Sequence, residues 1–148
     1  MTDPLTRAIT ICNPYPELIL LGEKQIENRD RYWSFRGPLL LHAGKSRAWM
    51  DDDDDERYPD LSWGAIVGSM VVATCLELET PKEWPREYAH LRSYEHANGP
   101  YCLILGDVKR FRQPVPCRGA LGIWIVPPDV QPLVDEQITG VSQCRLIP

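Results

Sequence analysis

The sequence predicts an α+β fold, a small mixed β-barrel flanked by short helices, and three observations predict it. Apolar and polar segments follow the order strand, helix, two strands, long strand, helix, two strands, without the regular alternation of βαβ units. The 148 residues include 14 prolines and 10 glycines, which divide the chain into short elements. Two long apolar runs, 64–79 with a bend at Gly68 and 101–111, suit strands that wrap around a small barrel. A chain of this length makes one ordinary domain, 1–148, with its core at about 7–126 and a C-terminal extension at 127–148. No internal repeat is visible.

Arg7–Cys12 alternates Ile9 and Ile11 onto one side and reads as the first strand. Asn13-Pro14 breaks it, with Asn13 as an N-cap and Pro14 at the first position of a helix running to Leu21. Gly22 stops that helix. Lys24–Asp30 forms the next strand, and the aromatic, basic segment 31–37 leads to a strand at Pro38–Ala43. A short helix is expected around Ser46–Met50. The long strand 64–79 follows, then a helix at Pro81–Leu91, the strand Tyr101–Phe111, a last strand Gly119–Val126 and a helix at about Asp129–Gln137.

Composition narrows the function classes. No run approaches the ~20 apolar residues that span a bilayer, and the N-terminus lacks a signal-peptide pattern, which places the protein inside the cell, in the cytoplasm. The five cysteines, Cys12, Cys75, Cys102, Cys117 and Cys144, show no C-x-x-C spacing. Free thiols are expected, with those at 12, 75 and 102 buried, and no structural metal or cofactor. The net charge of −5 argues against a polyanionic partner, but Asp51–Glu56 alone contributes six negative charges, so the remainder balances to +1. Between Lys24 and Arg47 six basic residues face only Glu27 and Asp30. Such a basic region can bind phosphates on an acidic protein. The acidic run itself reads as a solvated loop. Gly44-Lys45-Ser46 is not a phosphate-binding P-loop, because the required earlier glycine is replaced by Leu39.

The stretch with the densest chemistry is Gly22–Asp30, which holds Lys24, Glu27 and Arg29 around Ile26. If it is extended, Glu27 and Arg29 share a face and Ile26 points into a core. If it is helical, Lys24 and Glu27 are neighbours three apart. The bland alternative is a surface ion pair worth about 0–1 kcal/mol. His42, within an apolar strand, reads as structural or, by strand alternation with Leu40, as facing the cleft, and Trp124 reads as core.

The spacing Gly22-x-Lys24-x-x-Glu27-x-Arg29 resembles the central motif of ASCH domains, members of the PUA-like superfamily. Five further segments match in order: Asn13-Pro14-Tyr15, Arg36 to Lys45, Gly64 to Gly68, Gly99-Pro100-Tyr101 and Pro116 to Trp124. The resemblance covers roughly residues 7–126 and implies a PUA-like barrel with a cleft lined by the motif, in a group associated with RNA, modified bases or nucleosides.

Three functions from different classes follow. The first is a module that binds RNA or a modified nucleobase or nucleoside. Arg29, Lys45 and Lys24 would contact phosphate or base edges, Tyr15, Trp33 or Tyr101 would stack on a base, and Glu27 would accept from an exocyclic amine. Asn13 and Pro14 beside Tyr15, and Ser46 beside Lys45, complete the candidate set. The second is a hydrolase, acting on N4-acylated cytosine nucleosides, as the resemblance to one branch implies, or on RNA. Lys24 matches that branch's lysine, but Glu27 stands where its threonine nucleophile is expected. A buried Lys24 as base, with Glu27 as acid/base partner, is the remaining route. The third is a protein-binding adaptor, to which only the acidic loop and the proline-rich tail point.

Overall fold

The computed structural model describes residues 4–146, with side chains described through residue 140. Cys144 therefore lies outside the described side chains. The elements are β1 (Arg7–Ile11), α1 (Tyr15–Leu20), β2 (Ile26–Arg29), β3 (Gly37–Ala43), α2 (Asp54–Arg57), β4 (Ala65–Glu77), a 3-10 turn (Ala89–Ser93), β5 (Tyr101–Pro116), β6 (Ile123–Ile125) and α3 (Gln131–Leu146). The strands form one six-stranded sheet in the order β2-β5-β4-β3-β1-β6, curled into a half-barrel. β1 and β3 are parallel, and the crossover between them carries α1 and β2. Every other pairing is antiparallel. This is the expected mixed α+β architecture.

The curl comes from β4 and β5, the two long strands. Their pairing shifts register between Ile66 and Gly68, between Ser69 and Val71, and between Val72 and Thr74. Each irregularity bends the ribbon and increases its twist. The bend expected at Gly68 coincides with the first of these.

Apolar packing covers both faces of the sheet. On one face Ile9, Ile11, Leu39, Leu41, Met70, Val72 and Leu103 join Ile19 of α1. On the other, Ala8, Leu40, Ile66, Phe111 and Trp124 pack with Val134 of α3. This is why Leu39-Leu40-Leu41 is apolar without alternation: neighbours face opposite cores, and both cores are apolar. A third cluster around Ile26, Trp84, Leu91 and Ile104 backs β2. No helix among the described residues is long and apolar enough to cross a membrane.

Several local expectations need correction. The helix expected at Ser46–Met50 is absent, and one turn of helix instead forms inside the acidic run, at Asp54–Arg57. Asp54 is buried there, accepting from the Asp51 backbone N–H at 2.7 Å, so the run is a folded cap rather than only a solvated loop. Asn13 does not cap α1. Pro14 occupies that position, and the Asn13 Nδ2 instead donates to the Ser62 carbonyl at 2.8 Å. Pro81–Leu91 makes no α-helix, only the 3-10 turn at its end, because Pro81 and Pro85 interrupt it. The last strand is confined to Ile123–Ile125, β5 extends to Pro116, and α3 runs well past Gln137. Cys75 and Cys102 are buried free thiols, but Cys12 is only half-buried.

Candidate functional site

The turn between α1 and β2 builds the site. Gly22 adopts φ +80, which a glycine enters without steric cost. The N–H groups of Glu23 and Lys24 then both donate to the Leu18 carbonyl, at 2.9 and 3.1 Å. This folds the chain back and buries the Lys24 side chain to 3% exposure. Its Nζ donates to the Ile26 carbonyl and reaches Glu27 Oε1 at 3.5 Å.

β2 is extended, so Glu27 and Arg29 share a face while Ile26 is fully buried on the other. Arg29 Nη2 donates to Glu27 Oε2 at 3.2 Å. One carboxylate thus holds two cations, one through each oxygen. Trp33 supports Arg29, with the guanidinium carbon 4.8 Å from its ring centroid. Arg29 Nε is buried with no hydrogen-bond partner. Burial pushes the Lys24 pKa below its ordinary value, and Glu27 only partly opposes this.

Asn28 organises the far wall. Its Oδ1 accepts from the N–H groups of Asn98 and Gly99, at 3.0 and 2.8 Å, and its Nδ2 donates to the His96 carbonyl at 2.8 Å. The loop so held brings His96 to Tyr15, with ring centroids 6.5 Å apart and edge-on. Trp49 approaches Tyr15 from the other loop at 6.3 Å. Burial and the nearby Lys24 charge lower the His96 pKa. The result is a cleft of about 400 Å³ with Lys24, Glu27 and Arg29 on its wall and Tyr15, Trp49 and His96 among its lining.

A second cavity, of about 870 Å³, adjoins it and shares Thr10, Cys12 and Arg29. Lys45, Arg118 and the loop to Gly122 form part of its wall. Its floor is a polar network beneath the sheet edge. His42 Nε2 donates to the Cys117 carbonyl at 2.7 Å, which fixes the tautomer and leaves Nδ1 to accept from Thr10 Oγ1 at 3.1 Å. Thr10 Oγ1 in turn accepts from Trp124 Nε1 at 3.0 Å. Gly119 lies so close that a Cβ there would fall 2.5 Å from Thr10 Oγ1 and 2.7 Å from the His42 ring. Among the described residues no group of His, Cys, Asp and Glu converges to hold a metal.

Of the residues singled out in the sequence, Tyr15, Lys24, Glu27 and Arg29 line the first cleft. Lys45 lines the second. Trp33 stands behind Arg29 rather than in either lining, and Tyr101 packs against the main core and Tyr32. Asn13 lines a separate, smaller hollow, and Pro14 lies outside both cavities. Ser46 accepts from the Ala48 N–H at 3.2 Å on the exposed loop. Sequence reasoning missed Thr10, Cys12, Asn28, Trp49 and His96. Asn28 sits inside the motif and was within reach, and Trp49 was visible as an aromatic residue in a polar stretch. His96 lies in a segment with no periodicity to mark it.

Comparison with known proteins gives the fold a family. The model of the ASCH domain matches residues 9–113. The crystal structure of ASCH from Zymomonas mobilis is similar, with a TM-score of 0.52 at 12% identity over 90% of this chain and 96% of that one. A tyrosine-to-phenylalanine mutant of the Zymomonas mobilis protein gives 0.52 and 12%, over 87% and 96%. At such identity the likeness is one of fold. No curated protein matches the chain.

Proposed function

As this chain belongs to the ASCH domain family, a PUA-like RNA-binding fold family, we propose that it is a module binding RNA or a modified nucleobase or nucleoside in the Lys24–Glu27–Arg29 cleft. The observation that carries the reading is the joining of a doubly engaged carboxylate with three aromatic rings in one cavity. Glu27 offers acceptors for an exocyclic amine, and Arg29 and Lys24 offer donors for carbonyl or ring nitrogen edges. Tyr15, Trp49 and His96 offer ring faces and edges for a flat ligand, and each base stacked on an aromatic side chain contributes about 1–3 kcal/mol. The cavity volume falls within the range of small-ligand sites, roughly 300–1,000 Å³.

One observation favours a second reading. Burial lowers the pKa of Lys24, and an amine that sheds its proton more readily serves as a general base, with Glu27 beside it to exchange that proton. This is the hydrolase reading, with N4-acylated cytosine nucleosides or RNA as substrate.

A single panel separates the two. The protein and its Lys24→Ala variant are incubated with nucleosides, N4-acylcytidines included, and with a short single-stranded RNA, and followed by thermal shift and mass spectrometry. The binding reading expects one class of nucleoside to raise the Tm of the parent, with that shift reduced in the variant relative to its own baseline. Turnover lost in the variant would replace it with the hydrolase reading. A panel without Tm shift or turnover would contradict both.

A further inference from the structure

The floor of the second cavity holds a hydroxyl, an imidazole and a carbonyl in series, and the nucleobase reading uses none of them. Thr10 on β1 and His42 on β3 are cross-strand partners in the parallel ladder. Their side chains leave the sheet on the same side and meet, Thr10 Oγ1 to His42 Nδ1, at 3.1 Å. The other ring nitrogen, Nε2, lies 2.7 Å from the Cys117 carbonyl. A carbonyl only accepts, so Nε2 carries the ring proton and Nδ1 is left as an acceptor. The indole Nε1 of Trp124 only donates, so it takes a lone pair of Thr10 Oγ1, at 3.0 Å, and the hydroxyl proton points at Nδ1. Trp124 also stands edge-on to the His42 ring, with centroids 5.3 Å apart, and supports its plane.

A brace between two strands needs no more than this, but three observations go further. Thr10 is only half-buried and lines both cavities, and His42 lines the larger one. The space before the pair is open because residue 119 is glycine; a Cβ there would fall on the Thr10 hydroxyl and the His42 ring. The same lining carries three cations, Arg29, Lys45 and Arg118, and no Asp or Glu, in a chain of net charge −5. Among the described residues Lys45 and Arg118 have no carboxylate within ion-pair distance, and both are exposed. Cys12 and Cys117 are the rival nucleophiles in the lining. Among the described hydrogen bonds neither thiol reaches an imidazole, and the Cys117 thiol donates to the Arg118 carbonyl at 3.3 Å. Burial also raises the Cys117 pKa, away from the reactive thiolate.

We propose that Thr10 and His42 are a nucleophile and its base, and that they hydrolyse esters of small, carboxylate-bearing acids in the second cavity. A hydroxyl, a base within hydrogen-bond reach and a third group that orients the base are the parts such acyl transfer requires. Thr10 Oγ1 attacks the ester carbonyl carbon as its proton passes to His42 Nδ1. His42 returns that proton to the alcohol oxygen as the ester C–O bond breaks, which leaves the acyl group on Thr10. Water then attacks the acyl carbon and gives a proton to Nδ1. That proton returns to Thr10 Oγ1 as the bond to the acyl carbon breaks and the acid departs. Arg29, Lys45 and Arg118 hold the free carboxylate of the acyl group, and the cavity of about 870 Å³ has room for the whole ester. The activity is separate from Lys24 and Glu27 and does not rest on the nucleobase reading.

The test compares two chromogenic esters of equal acyl length, p-nitrophenyl hydrogen adipate and p-nitrophenyl hexanoate. Mass spectrometry of the parent, quenched during turnover, should find the adipoyl group on Thr10. The adipate ester should be favoured in kcat/KM by about fivefold at low salt, the worth of one exposed ion pair. Lys45→Gln with Arg118→Gln should remove that preference through KM. His42→Gln keeps a donor for the Cys117 carbonyl but is no base, and should lower kcat by about a hundredfold or more. Thr10→Val should abolish turnover and Thr10→Ser should retain it. In the parent the rate should rise with pH through a value below 6.5 and then level, since burial lowers the His42 pKa. The charged and titratable groups that share its cavity are Arg29, Lys45, Arg118, Cys12 and Cys117, with no carboxylate to raise it. Hydrolysis no faster than in buffer, an acyl group on a cysteine or lysine instead of Thr10, or a folded His42→Gln protein with the parent's kcat overturns the inference and leaves the pair as a brace. Should a variant fail to fold, the position of the acyl group in the parent decides. Nucleoside-induced thermal shifts are read separately, so the nucleobase reading stands or falls independently.

Discussion

Lys24 is almost fully buried, and its charge is tolerated because Glu27 and the Ile26 carbonyl face it. Removing one member of a buried pair costs more than removing both, since the survivor is left in a poor solvent. Glu27→Gln should therefore destabilise the fold by about 2–3 kcal/mol, less than the ~3–5 kcal/mol of a fully dry pair, because Glu27 retains some exposure. Lys24→Met combined with Glu27→Gln should recover most of that loss. Urea unfolding of the three proteins measures it, and a double variant no more stable than Glu27→Gln alone would mean the pair is not coupled. The pairing of Glu27 with Arg29 was readable from strand alternation. The burial of Lys24 was not, because it depends on a backbone turn around the Leu18 carbonyl that side-chain patterning does not report.

At the scale of elements, β1, β3 and β6 are joined by side chains as well as by their ladders. His42 on β3 bonds Thr10 on β1 and the carbonyl of Cys117 beyond β5, and Trp124 on β6 bonds the same threonine. Burial lowers the pKa of His42 below 6.5, against a smaller raising effect of its carbonyl partner. His96, which shapes the cleft from the loop between the 3-10 turn and β5, is lowered in the same direction. The unfolded chain then takes up protons near pH 6.5 that the folded chain refuses, so stability is full above that pH and is lost as pH falls through it. The urea midpoint should fall from pH 7.5 to pH 5.5, with both imidazole NMR signals titrating below 6.5. A midpoint that rises over this window would contradict the assignment. The burial of His42 was legible from its place in an apolar strand, and so was its turn towards a cavity by strand alternation. Its partners were not, since they come from segments 32 and 75 residues away.

For the whole molecule, apolar patterning carried the architecture. Strands with unbroken runs such as Leu39-Leu40-Leu41 mark a sheet covered on both faces, and α3 and α1 supply the cover. Helices were the weaker part. Ser46–Met50 buries no residue in a core, so irregular backbone serves there, while Pro81–Leu91 gives Trp84 and Leu91 to the cluster behind β2 without an α-helix, because Pro81 and Pro85 interrupt it. The cleft was half-legible for a related reason. Tyr15, Lys24, Glu27 and Arg29 lie on regular elements or the turn between them, whereas Trp49 and His96 arrive on loops whose course is set by distant partners.

That division gives the most direct test of the nucleobase cleft. Nucleosides from the stabilising class are titrated into isotope-labelled protein, and the tryptophan indole and histidine ring signals are followed by NMR. Binding in the cleft should shift Trp49 and His96 saturably and together, while Trp84, buried in the cluster behind β2, stays still. Saturable shifts that spare Trp49 and His96, or no shifts at any concentration that stabilises the protein, would contradict the assignment of this cleft as the binding site.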